Sequence, residues 1–406
     1  MVPPGQVINL RRSSIPVQPD MKIRILLSPL FVSLFFLFFL FGQFHLPKEG
    51  RAVPSYARGP YKPTQIEDDR ERERIGEGGE EEGARSEIPG RRKEGTETGG
   101  IVKDSEKRQK LVILWTGWRS GSTFMGQVLS RAANATFYSY EPLHMYGVKV
   151  MDQDDARTRS ALVLMKDLLL CRLESHSDQV SYMGRCDFYL RQNVYLKGHC
   201  LRDDPKFQAS LCRNASYVAG VCRSADMNVI KVLRLSLQFA RPLLEDDELD
   251  VQIIYMARDP RAVLSSRMKA FWCTGICADS QTVCSLLEGD LRDAALLSRE
   301  YPTRFKFVLY DEICDKGLSA LQAVMTFLDL PVTDAQIKLL PPRQTLGMMS
   351  ISRADMWRTR ASFAKVVEPL QRLCEASLEK LQLRAFASQE ELLDLSRPAL
   401  LRSPEI

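Results

Sequence analysis

From residue 110 onward the chain alternates short, continuous apolar runs with longer stretches of helical period. The runs "KLVILWT" (110–116), "TFYSY" (136–140), "NVIKVLR" (228–234), "VQIIYMA" (251–257) and "FKFVLY" (305–310) read as strands. Helical patterns are expected at about 122–132, 156–173, 260–270, 283–300, 317–329 and 362–382. Uninterrupted apolar strands separated by helices predict an α/β fold: a P-loop-like parallel sheet covered by helices on both faces. Ligands of such sheets bind beyond the C-terminal ends of the strands. The cysteine-containing stretch 174–227 breaks the alternation and reads as an irregular insertion braced by disulfides.

The pattern before residue 110 is different. "ILLSPLFVSLFFLFFLF" (25–41) carries no charge, and the following "GQF" extends it to the length of a membrane span. Arg11, Arg12, Lys22 and Arg24 precede it and favour a cytoplasmic N-terminus. No small-residue cleavage site follows, so an uncleaved signal anchor is expected rather than a cleaved signal peptide. The expected organisation is a cytoplasmic tail (1–24), a transmembrane anchor (25–44), a lumenal stem (45–108), a catalytic domain (109–390) and a C-terminal tail (391–406). The stem is rich in Gly, Pro, Glu and Arg and too poor in apolar residues to offset chain entropy, so it is expected to be disordered.

Charge and cysteine usage narrow the picture. A formal net charge of +5 over 406 residues provides no field for a nucleic acid partner. All 10 cysteines lie between Cys171 and Cys374, and an even number beyond an anchor predicts disulfides of open connectivity. Cys273, Cys277 and Cys284 are close in sequence, but no histidine or second tight pair completes a zinc set. Asn134 and Asn214 begin glycosylation sequons.

Two stretches carry chemistry. In "LVILWTGWRSGSTFMGQVL" a strand enters a glycine-containing turn and then a helix. Gly117 and Gly121 let backbone approach an anion closely, and the N–H groups at the helix start, with Ser120, Ser122 and Thr123, can bind its oxygens. The lysine that ATP-binding loops carry is missing, and Arg119 sits in the turn instead. In "IIYMARDPRAVLSSRM" the layout recurs, with Arg258 at the strand end, Pro260 in the first helical turn and Ser266 two turns on. Paired strand–turn–helix units of this kind can grip two phosphates of one nucleotide. Each has a plainer reading as well: an ordinary tight turn in the first, and an Arg258–Asp259 ion pair at a helix start in the second.

The two stretches resemble the nucleotide-binding elements of Golgi sulfotransferases that use 3'-phosphoadenosine 5'-phosphosulfate (PAPS). "WRSGSTFMGQVL" resembles the 5'-phosphosulfate loop and "ARDPRAVLSSR" the 3'-phosphate element. "FYSYEPLH", "VIKVLRL", "YDEIC" and "MWRTR" resemble, in order, segments of the carbohydrate 6-O-sulfotransferases acting on Gal, GalNAc or GlcNAc. The chain departs from that family where "LYDEI" puts Leu309 in place of an arginine, and His144 falls one place early. The resemblance implies the sulfotransferase fold, PAPS as co-substrate, no metal, a glycan or proteoglycan acceptor and a homodimer. It also implies a single-pass type II protein of the Golgi membrane with a lumenal catalytic domain. It assigns the donor to Arg119, Ser120, Gly121, Ser122, Thr123, Phe124, Arg258 and Ser266. Glu141 is the expected general base, with His144 as competitor; Lys231 and Arg119 are expected to stabilise transferring charge, with Arg234 as the alternative to Lys231. Trp357 and Arg358 are expected either to close over a ligand or, for Trp357, to pack. The rival functions are protein-tyrosine sulfation, a lumenal P-loop kinase and a non-catalytic glycan-binding protein of the same fold.

Overall fold

A computed structural model describes residues 108–152, 155–200, 208–346 and 349–406. The anchor, the cytoplasmic tail and nearly all of the stem lie outside the described residues. Among the described residues no helix is long and apolar enough to cross a membrane.

Five strands form one parallel sheet in the order β2-β3-β1-β4-β5. They are β1 (Lys110–Thr116), β2 (Thr136–Tyr140), β3 (Met227–Val232), β4 (Val251–Ala257) and β5 (Phe305–Leu309). Successive residues of β1 face opposite ways: Val112 and Leu114 join one core, Ile113 and Trp115 the other. Both faces are therefore buried, which is why the strands read as unbroken apolar runs. β1 is central, with β3 and β4 on its two sides. The connection after β3 crosses over β1, so the crevice for a ligand opens at the C-terminal end of β1. The helix following β1 is α1 (Ser122–Leu129). At Gly126 a Cβ would lie 1.9 Å from the Tyr138 hydroxyl oxygen, so the glycine lets α1 seat against β2.

Several expectations are corrected. β3 ends at Val232 and β5 at Leu309; Lys231 stays within the strand, whereas Arg234 lies beyond it. The described residues of 174–227 are largely helical rather than irregular, with α2 (Ser177–Arg185), α3 (Asp187–Gln192), α4 (Val194–Cys200) and α5 (Ala215–Arg223). The helices of this stretch are short, so no long amphipathic period marks them. Disulfides Cys171–Cys222 and Cys200–Cys212 do brace it. Cys273–Cys277 and Cys284–Cys374 complete the pairing; Cys186 and Cys314 are free thiols. The helix expected over 362–382 is divided into 363–367, 368–373 and 375–380, with Pro369 near the start of the second piece and the disulfide-bonded Cys374 between the last two. Residues 391–406 carry buried Leu392 and Ala399, and Leu400 bridges to Leu383.

Candidate active site

The turn after β1 is shaped by two left-handed residues, Arg119 (φ 69°) and Gly121 (φ 89°). A Cβ on Gly121 would come within 2.3 Å of the Tyr310 ring. Only glycine meets both the conformation and the approach. No side chain caps the N-terminus of α1. Its first amides therefore remain donors for an anion. Ser120 and Ser122 are buried at this turn, Thr123 is exposed, and Phe124 stands edge-on to Tyr310 at 6.2 Å. Arg267 holds the turn from beneath: its Nε donates to the Trp118 carbonyl (3.2 Å) and its Nη1 to that of Cys277 (3.1 Å). Burial pulls the Arg267 pKa down to about 10, which leaves the group charged at neutral pH.

The second unit begins at the end of β4 and continues into α6 (Pro260–Arg267). Asp259 accepts from the Arg261 amide (2.8 Å), and its carboxylate pairs with the Arg261 guanidinium (2.8 Å), both side chains fully buried. The local ion pair thus uses Arg261 and leaves Arg258 to the cleft. The two units touch. Arg119 Nε donates to Ser266 Oγ at 2.7 Å, and Arg258 Nη1 donates to the Arg119 carbonyl at 3.1 Å. Arg258 also lies over the Tyr310 ring, 4.8 Å from its centroid.

A cleft of about 420 Å³ opens here, lined by Arg258, Ser266, Lys269, Tyr310, Arg353 and Arg360 among others. Among the described residues, none of Arg119, Arg258, Lys269, Arg353 or Arg360 has a carboxylate within ion-pair distance. Desolvation, then the charge of Arg258, lowers the Arg119 pKa below its ordinary value. Arg258 Nε and Trp357 Nε1 are buried without hydrogen-bond partners. Unpaired cations and orphaned donors around one cleft fit a polyanionic ligand. Lys269, Arg353, Arg360 and Tyr310 were missed by sequence reasoning. Lys269, two residues after Arg267, continues a basic run; Arg353 and Arg360 lie far along the chain with no local motif.

The second group of expected residues gathers beside the turn. Glu141 follows the last residue of β2 in a left-handed conformation (φ 48°), unusual for a side-chain-bearing residue. Its carboxylate accepts from Lys231 Nζ (3.0 Å) and Arg234 Nη1 (3.1 Å). Burial alone would raise its pKa, but Lys231 and Arg234 outweigh burial and the net shift is downward. Lys231 is 1% exposed and sits 3.8 Å above the Tyr140 ring centre. The Tyr140 hydroxyl in turn lies 3.4 Å from Thr123 Oγ1, which links this trio to the turn. Arg234 also donates to the Gly147 carbonyl (2.6 Å) and flanks the Trp118 ring.

His144 stacks on Tyr182, with ring centres 4.1 Å apart, and its Nδ1 is buried without a partner. Burial, then the charge of Arg234, lowers its pKa. Arg358 is not at the cleft surface. It is fully buried, pairs with Asp355 (3.1 Å) and donates to the carbonyls of Leu392, Asp394 and Arg397. Its role is to hold the C-terminal segment, because those carbonyls lie in or beyond the last turn of the helix Gln389–Leu393, where no following turn satisfies them. Trp357 lines the cleft and also packs against Arg261.

The sequence is similar to those of known proteins. A family model described as a sulfotransferase domain matches residues 109–350. Carbohydrate sulfotransferase 3 of Rattus norvegicus is 30% identical, over 55% of this chain and 55% of the relative, so the chain spans about half the length of that protein. Carbohydrate sulfotransferase 5 of Homo sapiens is 25% identical, over 72% of this chain and 82% of the relative. A solved sulfotransferase domain from the Synechococcus olefin synthase is 16% identical, with a TM-score of 0.38 over 68% of this chain and 97% of that chain. The matched span begins with β1 and contains both arginine turns, and the chain belongs to the sulfotransferase domain family.

Proposed function

We propose that this chain transfers the sulfuryl group of PAPS to a hydroxyl of a sugar, the 6-OH of Gal, GalNAc or GlcNAc in a glycan or proteoglycan. One observation carries the reading: Arg119 of one strand–turn–helix unit meets Ser266 of the other at 2.7 Å, beside a cleft lined by Arg258, Lys269, Arg353 and Arg360, none of which has a carboxylate within ion-pair distance among the described residues. PAPS supplies the sulfuryl group and a bisphosphate that leaves. The free amides of α1, with Arg119, Ser120, Ser122 and Thr123, suit its 5' end; Phe124 and Tyr310 offer ring faces. Arg258 and Ser266, joined by Lys269, Arg353 and Arg360, suit its 3'-phosphate.

Catalysis then rests on positioning and on charge stabilisation. Glu141 takes the proton of the acceptor hydroxyl, and its cationic partners keep it ionised near neutral pH. Withdrawal of Lys231 toward negative charge on the donor would leave Glu141 a stronger base. The proposal includes a lumenal catalytic domain anchored as a type II protein in the Golgi membrane. The four disulfides suit an oxidising compartment.

The test is incubation of the full chain with labelled PAPS and a panel of Gal-, GalNAc- and GlcNAc-terminated glycans, with tyrosine peptides alongside. Label in a glycan is expected. Label in peptides alone, or in nothing while the nucleotide is bound, would overturn the assignment.

A further inference from the structure

The helical insertion brings a set of rings to the reactive side of the turn. Tyr140, whose face carries Lys231, meets Phe188 edge-on at 5.3 Å and Tyr189 at 5.8 Å. Tyr189 continues to Tyr182 (5.7 Å) and His144 (5.2 Å), and His144 stacks on Tyr182. Tyr140 is buried, Phe188 and Tyr189 are half-buried, and Tyr182 is 41% exposed. The array thus runs from the Glu141–Lys231 pair out to solvent. None of these rings lines the cationic cleft. The two features meet only near the turn, through Tyr140 and Thr123.

Charge separates the two sides as well. The cleft holds cations that, among the described residues, have no carboxylate within ion-pair distance. On the array side, Lys231 and Arg234 are both engaged by Glu141. The rings add no fixed charge, and burial, then the charge of Arg234, favours the neutral form of His144. A pathway of neutral aromatic faces with hydroxyl and imidazole edges suits a ligand with a C–H face and a hydroxyl rim. It does not suit a second phosphate or an acidic peptide.

We infer that the aromatic face built from Tyr182, Tyr189 and His144 receives the ring of the acceptor sugar and directs its hydroxyl toward Glu141. This rests on the proposed function and adds the acceptor subsite to it. Two of the three residues come from α2 and α3 of the insertion, so the insertion sets which sugar is taken. Pure packing is the competing account. It explains buried Tyr140, but it does not require a tyrosine as exposed as Tyr182 to lie flat on a histidine.

The test uses the full chain saturated with adenosine 3',5'-bisphosphate (PAP), titrated calorimetrically with Gal-, GalNAc- and GlcNAc-terminated oligosaccharides. Loss of one stacking partner weakens binding by about tenfold. Tyr182→Ala should therefore lose about tenfold in affinity for the glycan that wild type binds. Tyr182→Phe, which keeps the stack, should stay within about threefold of wild type by the same reasoning. PAP affinity should be unchanged in both, and the melting temperature unchanged in Tyr182→Phe. Glycan binding unaltered in Tyr182→Ala overturns the subsite and leaves the proposed function standing. Wild type that binds PAP but no glycan, or that binds only tyrosine peptides when these are titrated alongside, overturns both. Wild type that fails to bind PAP overturns the donor assignment, and the same glycan titration of the nucleotide-free chain and of Tyr182→Ala then decides the subsite.

Discussion

Replacing Glu141 by glutamine removes one negative charge from between two buried cations. Lys231 is 1% and Arg234 8% exposed, and each donates one charge-assisted hydrogen bond to the carboxylate. Glutamine keeps the shape but offers one oxygen; its amide N–H groups face whichever cation is left. Arg234 retains the Gly147 carbonyl, so most of the penalty falls on Lys231. Removing one partner of a buried pair costs about 3–5 kcal/mol of stability. Partial exposure of the carboxylate, 14%, places this case at the lower end, about 3 kcal/mol.

A general base contributes about 10²–10⁴-fold in rate. Glu141→Gln should therefore lower kcat by at least about a hundredfold while PAP affinity stays near wild type. The measurement is kcat at saturating PAPS and acceptor, with calorimetric PAP titration and a melting curve on the same preparation. The sign of the pH dependence is fixed by the lowered pKa. The ion trio contributes stability above the ordinary carboxylate range and loses it only as pH falls through the depressed folded value. Near-normal kcat together with a lowered melting temperature would refute the reasoning and make Glu141 a counter-ion alone.

Two further perturbations follow from the same geometry. Gly121→Ala imposes a left-handed conformation on an L-residue, costing about 1–2 kcal/mol, and drives a methyl into Tyr310, so PAP affinity should fall by at least about tenfold; unchanged affinity would mean that the turn does not hold the donor. Asp290 is buried, accepts from the Leu237 amide (2.8 Å), and burial pushes its pKa up to about 7. Its contribution to stability is full below the ordinary carboxyl pKa and fades as pH rises toward about 7, so Asp290→Asn should raise the melting temperature at pH 8 and leave it nearly unchanged at pH 4; an equal shift at both pH values would contradict this.

The parts of the site legible in the sequence are those whose physics is local. β1, β2 and β4 carry unbroken apolar runs because both sheet faces are covered, and their observed bounds coincide with the runs. Arg119 and Arg258 were legible because each follows such a run and precedes a helix. Their side-by-side placement follows from the pairing of β1 with β4. What was not legible depends on distant contacts. Arg358 and Arg360 stand two residues apart in "MWRTR", yet one is buried against the C-terminal carbonyls and the other lines the cleft. No local pattern distinguishes them. Tyr310 lies in the "LYDEI" segment, but its ring is explained only by the Gly121 backbone pressing on it across the sheet edge. The short helices of the insertion are held by disulfides and by rings against β2, and neither leaves a periodic trace.

The central claim is that one nucleotide with anions at both its 5' and 3' positions spans the two arginine turns. Calorimetric titration of PAP and of adenosine 5'-monophosphate into wild type and Arg258→Ala tests it most directly. Hydrogen bonds to charged groups contribute about 1.5–3 kcal/mol. Wild type should therefore bind PAP more tightly than the monophosphate, and Arg258→Ala should lose about ten- to a hundredfold for PAP with little change for the monophosphate. Equal loss for both nucleotides, or a wild type that does not distinguish them, would contradict the account.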